Sequence, residues 1–332
     1  MIEHIATKYS DKIVAITGAR GYLGAAMVDA LVGSARGLIR VSRSELAPVD
    51  GTDTLKADIS TPECWEEIVS RSDVIFHLAG NKNIYAAAND PDGSLRSTFD
   101  PIVHLVRAVR ILNRKLRVVV AGTATQYGLT NDFPVNEGAR PLPITNYDLH
   151  KQLAEDELLH ATRMGVLEGT ALRISNVYGP SAGDPSESGR GVINKVAQKA
   201  LQGEAIKVYG DGRYLRDYVY VTDVVRAFLY AGCSSGTVGR PFNVGSGVGV
   251  TLRDAFTLVA RSIQRRLGIS IPVQEAPWPE GSHDIERRSF VADVRALKAA
   301  SDWAPLVFIK EGIDRMIDHF LLSQNASGRI NR

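Results

Sequence analysis

Residues 13–24 read Ile13-Val14-Ala15-Ile16-Thr17-Gly18-Ala19-Arg20-Gly21-Tyr22-Leu23-Gly24. An apolar run of strand length stops at a glycine cluster, and an alanine-rich helical pattern, Ala25 to Leu31, follows at once. A strand, a glycine turn and a helix in that order suit a dinucleotide. One glycine makes the tight bend, one lets the backbone approach a pyrophosphate, and one packs the helix closely on the sheet. The start of the helix then offers free N–H groups and the positive end of its dipole to the phosphates. The spacing is G-x-x-G-x-x-G, at Gly18, Gly21 and Gly24. Glycine turns also join strands to helices where nothing binds, so this motif needs company.

It has company downstream. Tyr147-Asp148-Leu149-His150-Lys151 is Y-x-x-x-K, which on a helix sets both side chains on one face, one turn apart. A nearby ammonium favours the phenolate, and so makes the tyrosine an acid or base usable near neutrality. Thr123 follows the apolar run 116–121 and supplies a hydroxyl that can share a substrate proton. Alone, Y-x-x-x-K also describes an ordinary surface helix. Together with the glycine turn and the strand-end hydroxyl, chance becomes the poorer account.

Composition sets the frame. The 332 residues are 44% hydrophobic and 23% charged, an ordinary globular profile that accommodates two domains or one large α/β unit with an appended lobe. A net charge of +2 gives no polyanion footprint, so nucleic acid is not expected as a partner. Two cysteines and seven histidines show no ligand spacing, and no metal site is expected. No apolar stretch is long enough to span a bilayer and the first ten residues lack a signal-peptide core, which predicts a cytoplasmic location away from membranes.

Strand patterns at residues 13–17, 37–42, 54–57, 74–78, 116–121 and 169–174 alternate with helical patterns at 22–31, 62–69, 99–113 and 146–163. Such alternation predicts right-handed βαβ units and a mostly parallel sheet covered on both faces, with ligands outside the carboxyl ends of the strands. After Pro180 the regularity breaks. Residues 181–191 read as a Gly/Ser/Pro-rich loop that orders when something binds, 192–202 as a helix, 272–288 as irregular and 323–332 as a frayed tail.

From about Lys12 to about Phe320 the chain resembles the extended short-chain dehydrogenase/reductases, and within them the nucleotide-sugar epimerases, dehydratases and reductases. The resemblance rests on T17-G-A-R-G-Y-L-G24, A57-D-I59, F76-H-L-A-G80, G122-T-A-T-Q-Y-G128, Y147-D-L-H-K151 and L172-R-I-S-N-V-Y-G-P180. It extends through V208-Y-G-D-G-R-Y-L-R-D-Y-V-Y-V-T-D223, F242-N-V-G-S-G247, W303-A-P and E311-G-I313. It implies an α/β fold, a Rossmann-type doubly wound parallel sheet with a smaller C-terminal substrate-binding lobe. The expected division is a cofactor domain over 1–177 and a mixed α/β lobe over 178–332, part of which returns to the sheet. It also implies a homodimer paired through the helices at 99–113 and 146–163.

For the cofactor, the resemblance assigns Gly18, Arg20, Gly21, Tyr22, Leu23 and Gly24 of the turn, Asp58 and Ile59 beside the adenine, the strand-end turn Leu78, Ala79 and Gly80 beneath the cofactor, and Lys82, Tyr147 and Lys151. Lys82 reads equally well as a solvated loop lysine. The family's N-V-x-G-T helix start is replaced near Thr98 by F-D-P-I-V, which removes one expected asparagine contact. At the end of the second strand, where NAD-specific members carry an acid for the ribose, this chain has Val41-Ser42-Arg43-Ser44. An arginine fork beside a hydroxyl suits a 2′-phosphate, so NADP(H) is favoured, with NAD(H) as the alternative.

For catalysis, the resemblance assigns Thr123, Tyr147 and Lys151. Sugar 4,6-dehydratases of this family carry Asp-Glu directly after the catalytic threonine; Ala124 and Thr125 stand here, and neither can act as a carboxylic acid or base. That disfavours dehydration and leaves hydride transfer at a hexose carbon. For the substrate, a nucleoside-diphosphate sugar, the resemblance implies Thr123, Asn176, Val192, Tyr209 and Arg216, with Arg287 ahead of its neighbour Arg288 as a second phosphate contact. Trp278 reads as packing. The balance favours an NADPH-dependent 4-keto-sugar reductase. A 4-epimerase with retained NAD is the alternative, and a non-catalytic NADP-sensing protein is a minor one, because such relatives usually lose the Tyr or Lys that is present here.

Overall fold

The computed structural model describes residues 2–81, 83–181 and 191–326. Its twelve strands are β1 (Ile13–Thr17), β2 (Gly37–Ser42), β3 (Asp53–Lys56), β4 (Val74–His77), β5 (Arg117–Thr123), β6 (Glu168–Ile174), β7 (Asn176–Tyr178), β8 (Ile206–Tyr209), β9 (Leu215–Tyr220), β10 (Pro241–Val244), β11 (Gly249–Thr251) and β12 (Val273–Ala276). Seven of them form a parallel sheet in the order β10-β6-β5-β4-β1-β2-β3. From β1 the chain winds outward through β2 and β3, then crosses to β4 and winds the other way. The reversal between β1 and β4 opens a crevice at the carboxyl ends of the strands, where doubly wound sheets bind their ligands.

Residue type explains strand position. All seven residues of β5, Arg-Val-Val-Val-Ala-Gly-Thr, are buried, as a strand covered on both faces requires. At the opposite edge, β3 carries Asp53, Thr54 and Lys56 in solvent, polar side chains that blunt an open edge. One face of the sheet packs Met27, Leu31 and Phe228 against Phe76, and the other packs Trp65, Ile68, Leu105 and Leu158 against Ile75 and Val118. A separate apolar cluster, including Tyr178, Ile193, Phe256 and Met316, underlies a three-stranded sheet β11-β9-β7 and a two-stranded β12-β8.

The helices Tyr22–Leu31 and Asn146–Arg163 stand where the periodicity predicts them. So do the strands Ile13–Thr17 and Gly37–Ser42, and the other expected elements differ at their ends by a residue or two. Four features differ more. Helices Ile84–Asn89 and Pro91–Thr98 form because Asn83 and Asp90 cap them, accepting from the N–H groups of Ala86 at 2.7 Å and Gly93 at 2.9 Å. The segment read as irregular contains β12, whose pairing with β8 supplies the order that its own weak alternation does not signal. The last helix runs Ile309–Ala326 and takes in the first residues of the expected frayed tail. β5 continues past the expected run 116–121 to Thr123, so the expected strand-end hydroxyl belongs to the last residue of the strand itself. Most of the expected loop at 181–191 and the end of the tail lie outside the described residues.

Candidate active site

The glycine turn is built by sterics. Gly18 has φ +71°, and a Cβ on it would come within 2.9 Å of the Ala79 amide nitrogen. A Cβ on Gly24 would stand 2.1 Å from the Gly18 carbonyl oxygen, so only glycine lets this helix lie against the turn. Gly21 is the N-cap and brings no side chain, so the N–H groups of Tyr22, Leu23 and Gly24 are left to an external acceptor. They face a cavity of about 890 Å³ lined by Gly18, Arg20, Gly21, Tyr22, Leu23, Gly24, Ser42, Arg43, Asp58, Ile59, Leu78, Ala79 and Gly80. That is every cofactor residue expected from the turn, the β2 end and the β4 end. Lys82 lies outside the described residues. The hydroxyl of Tyr22 is engaged elsewhere, donating to the Gly179 carbonyl at 2.7 Å.

Two neighbours tune this crevice. Asp58 accepts from the Ser60 N–H and hydroxyl at 3.0 and 2.8 Å, and these bonds hold its pKa below the usual carboxylate value. His77, at the end of β4, is 2.9 Å from the Thr17 hydroxyl, and burial pushes its pKa down to about 3. It is therefore a neutral imidazole at any physiological pH.

A second cavity, of about 880 Å³, adjoins the first, and Asn83 lines both. Thr123 and Tyr147 line it together with Asn176, Val192, Tyr209 and Arg216. The helix that carries Tyr147 and Lys151 is fixed to β6 by the buried Arg173, whose Nε donates to both carboxylate oxygens of Glu155 at 3.2 and 3.1 Å. Lys151 itself is buried. Its Nζ donates to the Ala121 carbonyl at 2.9 Å, and burial lowers its pKa to about 8. The candidate acid–base tyrosine, the strand-end threonine and the lysine thus converge at the end of β5.

The expected arginines divide differently. Arg288, not Arg287, lines the cavity; the Arg287 guanidinium pairs with Asp284 at 2.8 Å and stands over the Trp278 ring at 5.5 Å. The expectation for Arg287 is corrected accordingly. Backbone geometry explains it: Asp284–Arg287 is a single 3-10 turn, which sends successive side chains in different directions. Arg216 reaches the cavity, yet its terminal nitrogens donate to the main-chain carbonyls of Leu215, Glu286 and Arg288. Its carboxylate neighbours are used elsewhere: Asp217 accepts from Ser246, Gly247 and Ala292, and Asp223 binds Arg226.

Some lining residues are missing from the sequence reading. Asn81, Asn83, Ser94 and Ser97 line the first cavity and Lys195, Tyr218, Trp278 and Phe290 the second. Trp278, read as packing, sits in the cavity wall 5.7 Å from the Tyr209 ring. Ser94 pairs with His150, inside the Y-x-x-x-K motif, at 2.9 Å, a contact between residues far apart in sequence that nothing local signals. The others carry no local signal either. Among the described residues no group of three or more His, Cys, Asp or Glu is placed to hold a metal ion, and no helix is long and apolar enough to cross a membrane.

The model of the NAD dependent epimerase/dehydratase family matches residues 14–245, most of the chain. The protein belongs to this family. It is an enzyme of the extended short-chain dehydrogenase/reductase type. Among its relatives, UDP-glucose 4-epimerase of Mycolicibacterium smegmatis is 29% identical over 315 residues, 92% of this chain and 97% of that one. The dTDP-4-dehydro-6-deoxyglucose reductase of Escherichia coli is 25% identical over 325 residues, 92% and 96% of the two chains. The crystal structure of UDP-glucose 4-epimerase from Thermotoga maritima with UDP-glucose superposes with a TM-score of 0.83 at 28% identity, covering 94% of this chain and 99% of that one.

Proposed function

We propose that the protein moves a hydride to or from C4 of a nucleoside-diphosphate hexose, with NADP(H) favoured as the dinucleotide and reduction of a 4-keto sugar as the net reaction. The observation that carries this reading is the lining of the first cavity at the end of β2. Arg20, Ser42, Arg43 and Ser44 stand there, and the acid that would bind an NAD ribose is missing. Two guanidinium groups beside two hydroxyls suit a 2′-phosphate. A net reduction draws on NADPH, whereas an epimerase returns the hydride it takes.

The glycine turn fits the dinucleotide, because the space a Cβ would fill at Gly18 and Gly24 is needed by the backbone itself, and the helix N–H groups are open to a pyrophosphate. The bound nicotinamide supplies or accepts the hydride. Tyr147 holds the proton that the sugar oxygen gains or gives up. Lys151, as an ammonium, stabilises the phenolate, and Thr123 hydrogen-bonds the same sugar oxygen. Arg288 and Asn176 are assigned to the diphosphate side, with Val192 and Tyr209 beside the nucleotide. In this reading residues 1–177 bind the cofactor and 178–332 the sugar nucleotide, and the enzyme works in the cytoplasm. It works as a homodimer, because Val103 and Ile111 on Asp100–Leu112 and Leu149 and Leu153 on Asn146–Arg163 expose apolar surface on two neighbouring helices.

A second reading, a 4-epimerase with retained NAD, is favoured by the likeness to UDP-glucose 4-epimerases. Mass spectrometry of dinucleotide released from the purified protein separates the two. NADP(H), or an empty protein that oxidises NADPH on adding a 4-keto sugar nucleotide, supports the reductase. Stoichiometric NAD and interconversion of UDP-glucose with UDP-galactose support the epimerase and overturn the first reading.

A further inference from the structure

Asp148 stands second in the Tyr147–Lys151 motif, and the chemistry above gives it no task. It is fully buried, at 0% exposure. Its Oδ2 accepts from the Thr145 hydroxyl at 2.6 Å, and its own N–H donates back to that oxygen at 3.1 Å, the reciprocal cap of a helix start. Capping accounts for Thr145 and for nothing else. Oδ1 accepts from the Thr125 hydroxyl, and Thr125 Oγ1 lies 2.7 Å from Thr123 Oγ1, which lines the substrate cavity. A buried carboxyl is thus linked through two hydroxyls to the proposed reacting oxygen.

We propose that Asp148 is a positioning residue which, through Thr125, sets the direction of the Thr123 hydroxyl. The inference rests on Thr123 facing the substrate. A carboxylate has no hydrogen to give, so Thr125 must donate to it. The Thr125 oxygen is then left to accept from Thr123, and Thr123 presents a lone pair rather than a hydrogen to the cavity. Protonation of Asp148 allows each link to reverse. The carboxyl donates to Thr125, Thr125 to Thr123, and Thr123 turns its hydrogen to the cavity, as a ketone oxygen requires. One buried proton therefore decides whether Thr123 turns a lone pair or a hydrogen toward the sugar oxygen.

The surroundings favour the protonated form more than water does. Burial holds the Asp148 pKa above the usual carboxylate value; the Thr125 and Thr145 hydroxyls, and then the charges of Arg288 and His283, offset part of that rise. Its position within the motif also distinguishes it from the Asp-Glu pair of the dehydratases, which follows the threonine in sequence and is replaced here by Ala124 and Thr125.

The test has two arms. In the first, the Asp148 carboxyl is titrated by ¹³C NMR, assigned with Asp148→Asn, in the wild type, Thr125→Val and Thr123→Val. Loss of the Thr125 donor raises the midpoint by about one unit, and loss of Thr123 raises it by a smaller, resolvable amount, since each hydroxyl strengthens the next. A midpoint that Thr123→Val leaves unmoved while Thr125→Val shifts it breaks the chain and overturns the proposal. In the second arm, on a sugar nucleotide that the wild type turns over, Thr125→Val lowers kcat roughly ten- to hundredfold with KM little changed. Thr125→Ser recovers most of that loss, and adding Asp148→Asn to Thr125→Val slows the enzyme no further. Wild-type kcat in a well-folded Thr125→Val enzyme overturns the proposal. Failure of every sugar nucleotide to react overturns the functional reading instead, and the titration still decides whether the hydroxyl chain exists.

Discussion

Arg216 holds the main-chain carbonyl of Arg288 and, beside it, that of Glu286, so one cavity-lining cation clasps the segment that brings the second into place. The two arginines therefore fail differently when removed. Arg288→Ala should weaken binding of a nucleoside diphosphate at least tenfold with only a small drop in melting temperature, since among the described residues the Arg288 guanidinium donates to the Ile285 carbonyl alone. Arg216→Ala should weaken it as much or more and also lower the melting temperature by several degrees, because buried carbonyls lose charged donors, at about 1–3 kcal/mol each. Calorimetric titration alongside thermal melts checks both. Full affinity in a folded Arg288→Ala variant would remove that residue from the substrate site.

Lys151 sets a basic limit. With burial holding its pKa near 8, the ammonium is lost as pH rises through that value, well below the usual lysine range. The free enzyme's kcat/KM should accordingly fall above about pH 8, and Lys151→Met should abolish turnover and weaken dinucleotide binding. Tyr147→Phe should remove turnover with dinucleotide binding nearly intact. A flat kcat/KM from pH 7 to 10 would contradict the assignment of Lys151.

His77 sets an acid limit on stability. Its folded-state pKa, about 3, lies below the ordinary histidine value of 6.5, so the unfolded chain takes up the proton first as pH falls. The neutral, buried ring contributes its full stability above pH 6.5 and loses it progressively toward pH 3, a loss of up to several kcal/mol. His77→Gln should flatten the decline in melting temperature between pH 6.5 and 4. An unchanged slope would show that other groups govern acid unfolding.

The wall at the end of β2 should discriminate between dinucleotides. Charge pairing with a 2′-phosphate at Arg20 and Arg43 is worth about 1–3 kcal/mol, so NADPH should bind roughly ten- to a hundredfold tighter than NADH. Arg43→Ala should erase most of that difference, and Ser42→Asp should invert it. Fluorescence titration of both reduced dinucleotides is the measurement, and tighter NADH in the wild type would reverse the cofactor reading.

The exposed apolar positions on Asp100–Leu112 and Asn146–Arg163 should be covered by a second copy. Light scattering at micromolar concentration should give a dimer, and Ile111→Glu with Leu153→Glu should give a monomer. A monomeric wild type would leave those side chains without the proposed use.

Periodicity and turn chemistry made most of the sheet legible, because β1, β2, β4 and β5 are short, mainly apolar runs closed by a polar or glycine break, whereas the polar edge strand β3 is marked only by its place in the alternation. The first cavity was legible for the same reason: its walls are strand ends, which lie next to the motifs in sequence. The second cavity was less so. It is assembled from β6, β7, β9 and the 278–290 segment, whose contacts span long stretches of chain, so no local pattern separates Arg287 from Arg288. Trp278 reads as packing because a tryptophan's neighbours, here Tyr209 and Tyr214, are not its neighbours in sequence. Asp148 was in plain view inside the motif, but its link to Thr125 depends on the end of β5 meeting the start of a helix.

The pairing of β10 with β6 bears on how the chain comes off the ribosome. Synthesis delivers β1 through β6 in one run, but the strand that covers the outer edge of β6 is made only after β7, β8 and β9 and the helices between them. Until Pro241–Val244 emerges, a growing chain carries the strand Glu168–Ile174, largely buried in the finished fold, with one row of main-chain donors and acceptors unpaired, open to any other extended segment. The nascent protein therefore has a defined interval of vulnerability, and chaperone engagement or aggregation of truncated chains should concentrate on lengths that end between those two strands.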